Sequence, residues 1–311
     1  EMEFFLIDDS GPEFQVPASP RSGKRRTSGE VLSLQALDRF DHFFDDLYAG
    51  CEAMDIPADA AISESGLGQF EINLMHTDDA LRTADNAWLF KQLVKGVARR
   101  HGCAASFMAK PYPESAGSGL HVHFSLLDED GNNVFDNGGA DGTDLLRHAV
   151  AGCLDAMPGS TLIFAPHANS YARMVPGNHA PTGVSWAYEN RTTAIRIPSG
   201  SAKARRIEHR VAGGDVNPYL MLAAVLGAAM NGIEDGSTPP SPVTGNAYEL
   251  DLPQVPAMWE AAIESFQTSD EVARIFAPEL IANYVMTKQQ ELNKISKLAP
   301  AAQAGIYLDT V

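Results

Sequence analysis

Short strand-like runs at 1–7, 70–74, 104–108, 121–127 and 192–197 alternate irregularly with long helical periodicities, and no βαβ unit repeats along the chain. That order restricts the fold to the α+β class, with an antiparallel, curved sheet and helices on its outside. The helical pattern over 33–54 rests on Leu34, Leu37, Phe40, Phe44, Leu47, Tyr48 and Cys51, spaced by threes and fours. A second helix is expected over 77–101, with Thr77 or Asp78 as its N-cap and Gly102 as its stop. Further helices are expected at 144–157, 217–233, 258–265 and 278–297. The segment SPRSGKRRTSG at 19–29 is polar and basic and reads as a mobile loop. No internal repeat is visible.

With 311 residues and 44% hydrophobic content, the chain can bury a large core in one domain or two. No apolar run reaches the roughly 18 residues a membrane span needs, and no secretion signal opens the sequence, so a cytoplasmic protein without a membrane partner is expected. Cys51, Cys103 and Cys153 form no CxxC pair and read as reduced, mostly buried thiols.

The net charge of -17 argues against a nucleic-acid partner. Against that background the stretch 173–210 is unusual. It carries seven basic residues against two acidic ones, leaving 16 of the 23 basic and 38 of the 40 acidic residues to the rest of the chain. A compact cationic block suits a small polyanion, such as ATP together with a carboxylate substrate. It ends in Arg206-Ile207-Glu208-His209-Arg210. If this is a strand, Arg206, Glu208 and Arg210 share a face, either as a solvated salt-bridged surface or as part of a site.

Other constellations carry the same ambiguity singly. Glu1 and Glu3 lie two apart on the first strand, as an exposed pair or a metal site. Glu64 and Glu71 flank a turn punctuated by Gly66 and Gly68 in SESGLGQFEINL, which is either a surface hairpin or a device that faces two carboxylates into one space. His121 and His123 form an HxH on one strand face after the small residues of GSG. Taken together, five acids (Glu1, Glu3, Glu64, Glu71 and Glu208) and an imidazole favour Mg²⁺ or Mn²⁺ over Zn²⁺. Divalent ions with arginines and a lysine are the components that phosphoryl transfer uses.

The motifs EMEFF, ESGLGQFEI, GSGLHVHFSL, NSYARMVPG, NRTTAIRIP, KARRIEHR and NPYL occur in the order in which they resemble the catalytic domain of the glutamine synthetase family. The resemblance implies that residues 1–311 are such a domain, joining glutamate to an amine with ATP through a γ-glutamyl phosphate. It implies two Mg²⁺ or Mn²⁺ ions, one held by Glu3, Glu64 and Glu71, the other by Glu1, His121 and Glu208. His123, Ser125, Arg196, Lys203 and Arg206 resemble ATP contacts, and Gly117, Arg173 and Arg210 resemble glutamate contacts. Arg191 matches a position that stabilises the transferred phosphoryl group. A homo-oligomeric ring, a double hexamer, is implied in the same way.

Two positions depart from the family pattern. Where glutamine synthetases carry a flap glutamate, VPGNHAP has His179, and where they have an Asn before GSG, this chain has Ala116. A neutral imidazole offers a base without the negative charge that holds ammonium. These departures, with the wordings FMAKP, HAPTGVSW and SLLDEDGNNVF, resemble the γ-glutamylpolyamine or γ-glutamylputrescine synthetase branch, and they place His179 near the amine. The alternatives are an ammonium-using glutamine synthetase and a non-catalytic structural or regulatory relative. The small N-terminal β-grasp domain of the family is expected to be absent from this chain. Tyr248, in GNAYELDLP, resembles a tyrosine that is adenylylated in some bacterial members, against the plainer reading of a surface-loop tyrosine.

Overall fold

A computed structural model describes residues 1–11, 13–29, 31–175 and 180–311. The chain folds as two compact units, one comprising Glu1–Leu120, Gly213–Tyr219 and Lys297–Val311, the other His121–Ala212 and Leu220–Ser296.

The first unit contains β1 (Met2–Ile7), α1 (Leu34–Asp38), α2 (Asp41–Ala53), β2 (Ala58–Ser63), β3 (Gln69–Leu74), α3 (Ala80–Arg100) and β4 (Ala104–Ser106). Its strands form an antiparallel sheet in the order β2-β3-β1-β4. The period-two alternation of MEFFLI and QFEINL sends Phe4, Phe70 and Ile72 to one face. There the Phe4 ring lies 6.3 Å from Phe43, 6.5 Å from Phe90 and 5.7 Å from Phe107, so α2 and α3 pack over this side. The single helix expected over 33–54 is two helices. The break at Arg39 and Phe40 sets the Phe40 ring 5.7 Å from Phe70. The cap of α3 is Asp79, not Thr77 or Asp78, because its carboxylate accepts from the N–H groups of Leu81 and Arg82. Gly102 follows α3 with φ 71°, the left-handed conformation that ends a helix there.

The basic segment 19–29 is pinned rather than loose. Arg25 pairs with Asp8, Arg21 with Asp38 and Asp41, and the Ser19 N–H donates to the Lys24 carbonyl. The segment Gly213–Tyr219 is tied in by Lys91, whose ammonium donates to the Val216 carbonyl at 2.8 Å. Burial pushes this lysine down to about 8, while Asp215 acts against that shift.

The second unit contains β5 (Val122–Phe124), α4 (Asp144–Ala156), α5 (Thr161–Phe164), α6 (Ala168–Arg173), β6 (Trp186–Tyr188), β7 (Ile195–Ile197) and β8 (Ile207–His209). After α7 (Pro218–Asp235) come α8 (Trp259–Thr268), α9 (Asp270–Ile275) and α10 (Pro278–Ile295), and α11 (Pro300–Thr310) belongs again to the first unit. The sheet runs β5-β8-β7-β6. Its pairs are antiparallel except β6–β7, a departure from the wholly antiparallel sheet expected. These strands are only three residues each, so the loop 189–194, which turns at Glu189 with φ 58°, suffices to return the chain in the same direction. The cysteines are all buried, and burial pushes their thiols up to about 11 at Cys51 and Cys103 and about 12 at Cys153. Among the described residues no helix is long and apolar enough to cross a membrane.

Candidate active site

In the first unit the polar edge of the sheet is set by register. Glu3 lies directly opposite Glu71, and Gln69, Glu71 and Asn73 follow one another on one side of β3. Glu64, just beyond β2, donates its backbone N–H to the Gln69 carbonyl at 3.0 Å and so adjoins the same row. The Glu3 carboxylate is oriented by two donors on Oε2, the Gly119 N–H at 2.7 Å and the Gln69 amide at 3.1 Å. Glu71 is buried and receives the Asn73 amide at 3.2 Å.

Burial first, then the Glu1 and Glu3 carboxylates, raise the Glu71 carboxyl to about 7 against the opposing pull of the α-amino group and Asn73. A buried carboxyl raised by two neighbouring carboxylates is one that a cation beside it would return to the charged form. An all-oxygen set fits Mg²⁺ or Mn²⁺, the hard ions expected from sequence.

In the second unit the RIEHR segment is a strand, β8, and its polar residues face inward rather than into solvent. Register places Glu208 across from His123 on β5 and from Arg196 on β7. Glu208 is 0% exposed. Its carboxylate accepts from the Arg196 guanidinium at 2.6 Å and from that of Arg210, and His121 Nδ1 lies 3.8 Å away. The Arg206 Nε–H donates to His123 Nδ1 at 3.1 Å. Ala187, opposite Arg196 on β6, is buried. The reverse side carries Ile195, Ile197 and Ile207, together with His209. Burial pushes His209 down to about 3, with His121 adding to the shift, and its ring packs 4.6 Å from that of Phe164.

The structure therefore brings His121, His123, Arg196, Arg206, Glu208 and Arg210 together on one side of one sheet. Arg173, at the end of α6, is buried and donates to the Val211 carbonyl at 2.7 Å, one residue beyond Arg210. The start of α6 is clasped at His167, whose ring meets Glu291 of α10 at 2.8 Å, with Lys288 at 2.8 Å from the same carboxylate. Arg191 stands exposed on a turn and Lys203 on the short 3-10 helix Ala202–Ala204, and Ser125 is exposed just past β5. His179 lies outside the described residues.

Two residues were not identified from sequence as parts of the site. Gln69 touches Glu3 and Gly117, and the only sequence signal for it is its position two residues before Glu71 on the same strand face. Tyr248 is half-buried rather than a plain surface-loop residue. Burial raises its hydroxyl, and the Arg210 and Arg173 charges lower it, so it stands within electrostatic reach of both guanidiniums.

The family model for the glutamine synthetase catalytic domain matches residues 1–304. The γ-glutamylputrescine synthetase PuuA of Escherichia coli K12 is 38% identical over 301 residues, covering 96% of this chain and 64% of that protein. The γ-glutamylethanolamide synthetase GlnA4 of Streptomyces coelicolor is 40% identical over 238 residues, covering 76% of this chain and 51% of that protein. The solved structure of GmaS without ligand superposes with a TM-score of 0.84 at 29% identity, covering 99% of this chain and 71% of that one. The chain thus spans less than two thirds of the length of the first two relatives.

Proposed function

This chain belongs to the glutamine synthetase family, and we propose that it is the catalytic domain of a ligase that joins glutamate to an alkyl amine or polyamine using ATP. The observation that carries the reading is the buried constellation around Glu208, in which a carboxylate is held between Arg196 and Arg210 on a face shared with His121, His123 and Arg206. Guanidiniums fixed in a buried setting are pre-organised for phosphate and carboxylate oxygens, because their orientation is set before the charge develops.

In the proposed reaction a γ-carboxylate oxygen of glutamate attacks the γ-phosphorus of ATP and ADP leaves. The amine nitrogen then attacks the acyl phosphate carbon, inorganic phosphate departs, and the amine gives up a proton as the amide forms. Arg196, Arg206 and Lys203, with His123 and Ser125, hold the nucleotide phosphates, and Arg191 meets the phosphoryl group in transfer. Arg210 and Arg173 take glutamate contacts, a role the family motif also gives to the Gly117 backbone. Glu3, Glu64 and Glu71 would hold one Mg²⁺ or Mn²⁺, and Glu208 with His121 would contribute to a second; such ions would supply positive charge against the phosphate oxygens.

An organic amine rather than ammonium is supported by His179 in place of the flap glutamate and by Ala116 in place of Asn. It is supported also by likeness to relatives named for putrescine and ethanolamide products. His179 takes the proton from the incoming amine in this reading. The enzyme works in the cytoplasm as a homo-oligomeric ring. The test is phosphate release by the full-length protein with glutamate, ATP and a panel of ammonium, monoamines, diamines and polyamines, with products identified by mass. A γ-glutamyl adduct of an organic amine is expected. Turnover with ammonium alone would overturn the amine assignment, and no turnover with any amine would overturn the ligase reading.

A further inference from the structure

Gln69 opens β3 and is only 2% exposed, yet every hydrogen-bonding group of its side-chain amide is engaged at a functionally charged place. Nε2 donates to Glu3 Oε2 at 3.1 Å and to the Gly117 carbonyl at 3.0 Å, and Oε1 accepts the Gly66 N–H at 2.9 Å. The orientation of the amide is dictated by these partners, two acceptors on one side and one donor on the other. One side chain thereby spans three parts of the first unit: strand β1, the turn between Glu64 and Glu71, and the GSG segment.

The seat is shaped for this residue. A Cβ on Gly66 would lie 2.6 Å from Gln69 Oε1 and 2.7 Å from the Phe5 ring, so glycine there leaves the space the amide occupies. The Glu3 carboxylate cannot rotate without losing either the Gln69 amide or the Gly119 N–H, because both bond the same oxygen. Moving Gly117 would break the other half of the same NH₂ group.

We propose that Gln69 is a positioning residue that locks the Glu3 carboxylate to the Gly117 backbone, so that the cation at Glu3, Glu64 and Glu71 and the glutamate at Gly117 are bound as coupled events. The inference rests on the roles proposed above for Glu3 and Gly117. Filling the cation site fixes the Glu3 carboxylate. Through the shared amide this fixes the Gly117 carbonyl, and each ligand strengthens the other by the same factor.

The test uses the full-length protein carrying Gln69→Met, which keeps the length and removes the donors, or Gln69→Asn, which keeps an amide too short to span the gap. Mn²⁺ and glutamate affinities are measured by calorimetry without ATP, each ligand alone and in the presence of the other. Gln69→Met is expected to weaken Mn²⁺ binding about tenfold. It should also abolish the effect of Mn²⁺ on glutamate affinity while the protein remains folded by circular dichroism. If Met fails to fold, Asn gives the same readout while keeping a polar amide in the seat. A variant with a lowered melting temperature but wild-type Mn²⁺ affinity and undiminished coupling would make Gln69 a plain packing residue and overturn the inference. Wild-type protein that binds neither ligand would instead overturn the functional reading beneath it.

Discussion

Replacing Arg196 by Met tests whether the Glu208 cluster is the dry, pre-organised centre described above. Glu208 is fully buried and held by Arg196 at 2.6 Å, with Arg210 on its other oxygen. Two unit charges about 4 Å apart attract by about 4 kcal/mol at an effective dielectric constant of about 20. Removing one partner of a buried pair costs about 3–5 kcal/mol, because the survivor is left uncompensated. Here Arg210 remains, so Arg196→Met is expected to cost about 2–3 kcal/mol. Glu208→Gln strands two guanidiniums and is expected to cost more, about 4 kcal/mol. The double variant leaves only Arg210 beside a neutral amide, so its loss should fall short of the sum by at least about 1 kcal/mol. Urea unfolding followed by tryptophan fluorescence gives these values, since Trp186 is buried on β6 of the same sheet. The variants are compared by their stability rather than by activity, which both changes would abolish in the proposed mechanism. A loss below about 0.5 kcal/mol for Arg196→Met, or additivity of the two changes within that margin, would refute the reasoning. Either result would mean that water screens the face.

Further perturbations test packing and titration within each unit. A Cβ at Gly152 would lie 2.1 Å from the Ala228 carbonyl oxygen and 2.7 Å from the Gly232 nitrogen, so Gly152→Ala must push α4 from α7 and should cost about 3 kcal/mol or more in thermal unfolding. Nothing lies within 4 Å of the corresponding position at Gly96 on α3, where Ala should raise stability by about 0.5–1 kcal/mol, and a loss at that position would contradict the open space seen there. His209, held down to about 3 by burial, is neutral in the fold, whereas the unfolded chain takes up the proton near its ordinary value of 6.5. Stability should therefore fall as the pH drops from about 6.5 toward about 3, by about 1 kcal/mol per pH unit at the steepest. His209→Leu should flatten that slope in urea midpoints taken at pH 7, 6 and 5, and equal slopes in the two proteins would exclude the assignment.

The faces of the functional strands were legible in the amino-acid sequence because side chains alternate with period two whatever the surroundings. Glu1 and Glu3, the RxExR run and the HxH pair needed only a strand to be placed on one side, and the helical repeats of threes and fours located α3, α4, α7 and α10 to within a few residues. The motif order carried the family. What stayed hidden depended on partners distant in sequence. The strand ADAAIS at β2 has no alternation of its own and exists because it pairs with β3, and the three-residue β6 exists because it pairs with β7. The break at Phe40 answers to Phe70, thirty residues on, and the basic segment 19–29 is fixed by carboxylates on either side of it in sequence.

The sequence alone thus determined the class of fold, the residue types of the site and the strand sides on which they lie, since these follow from local periodicity and composition. Only the tertiary structure decided that Glu3 faces Glu71, that Glu208 is buried between Arg196 and Arg210, and that Gln69 reaches Gly117 forty-eight residues away. Register between strands and the burial it brings are properties of pairing. A one-residue slip along either sheet would have turned the same carboxylates toward the opposite face and left no site.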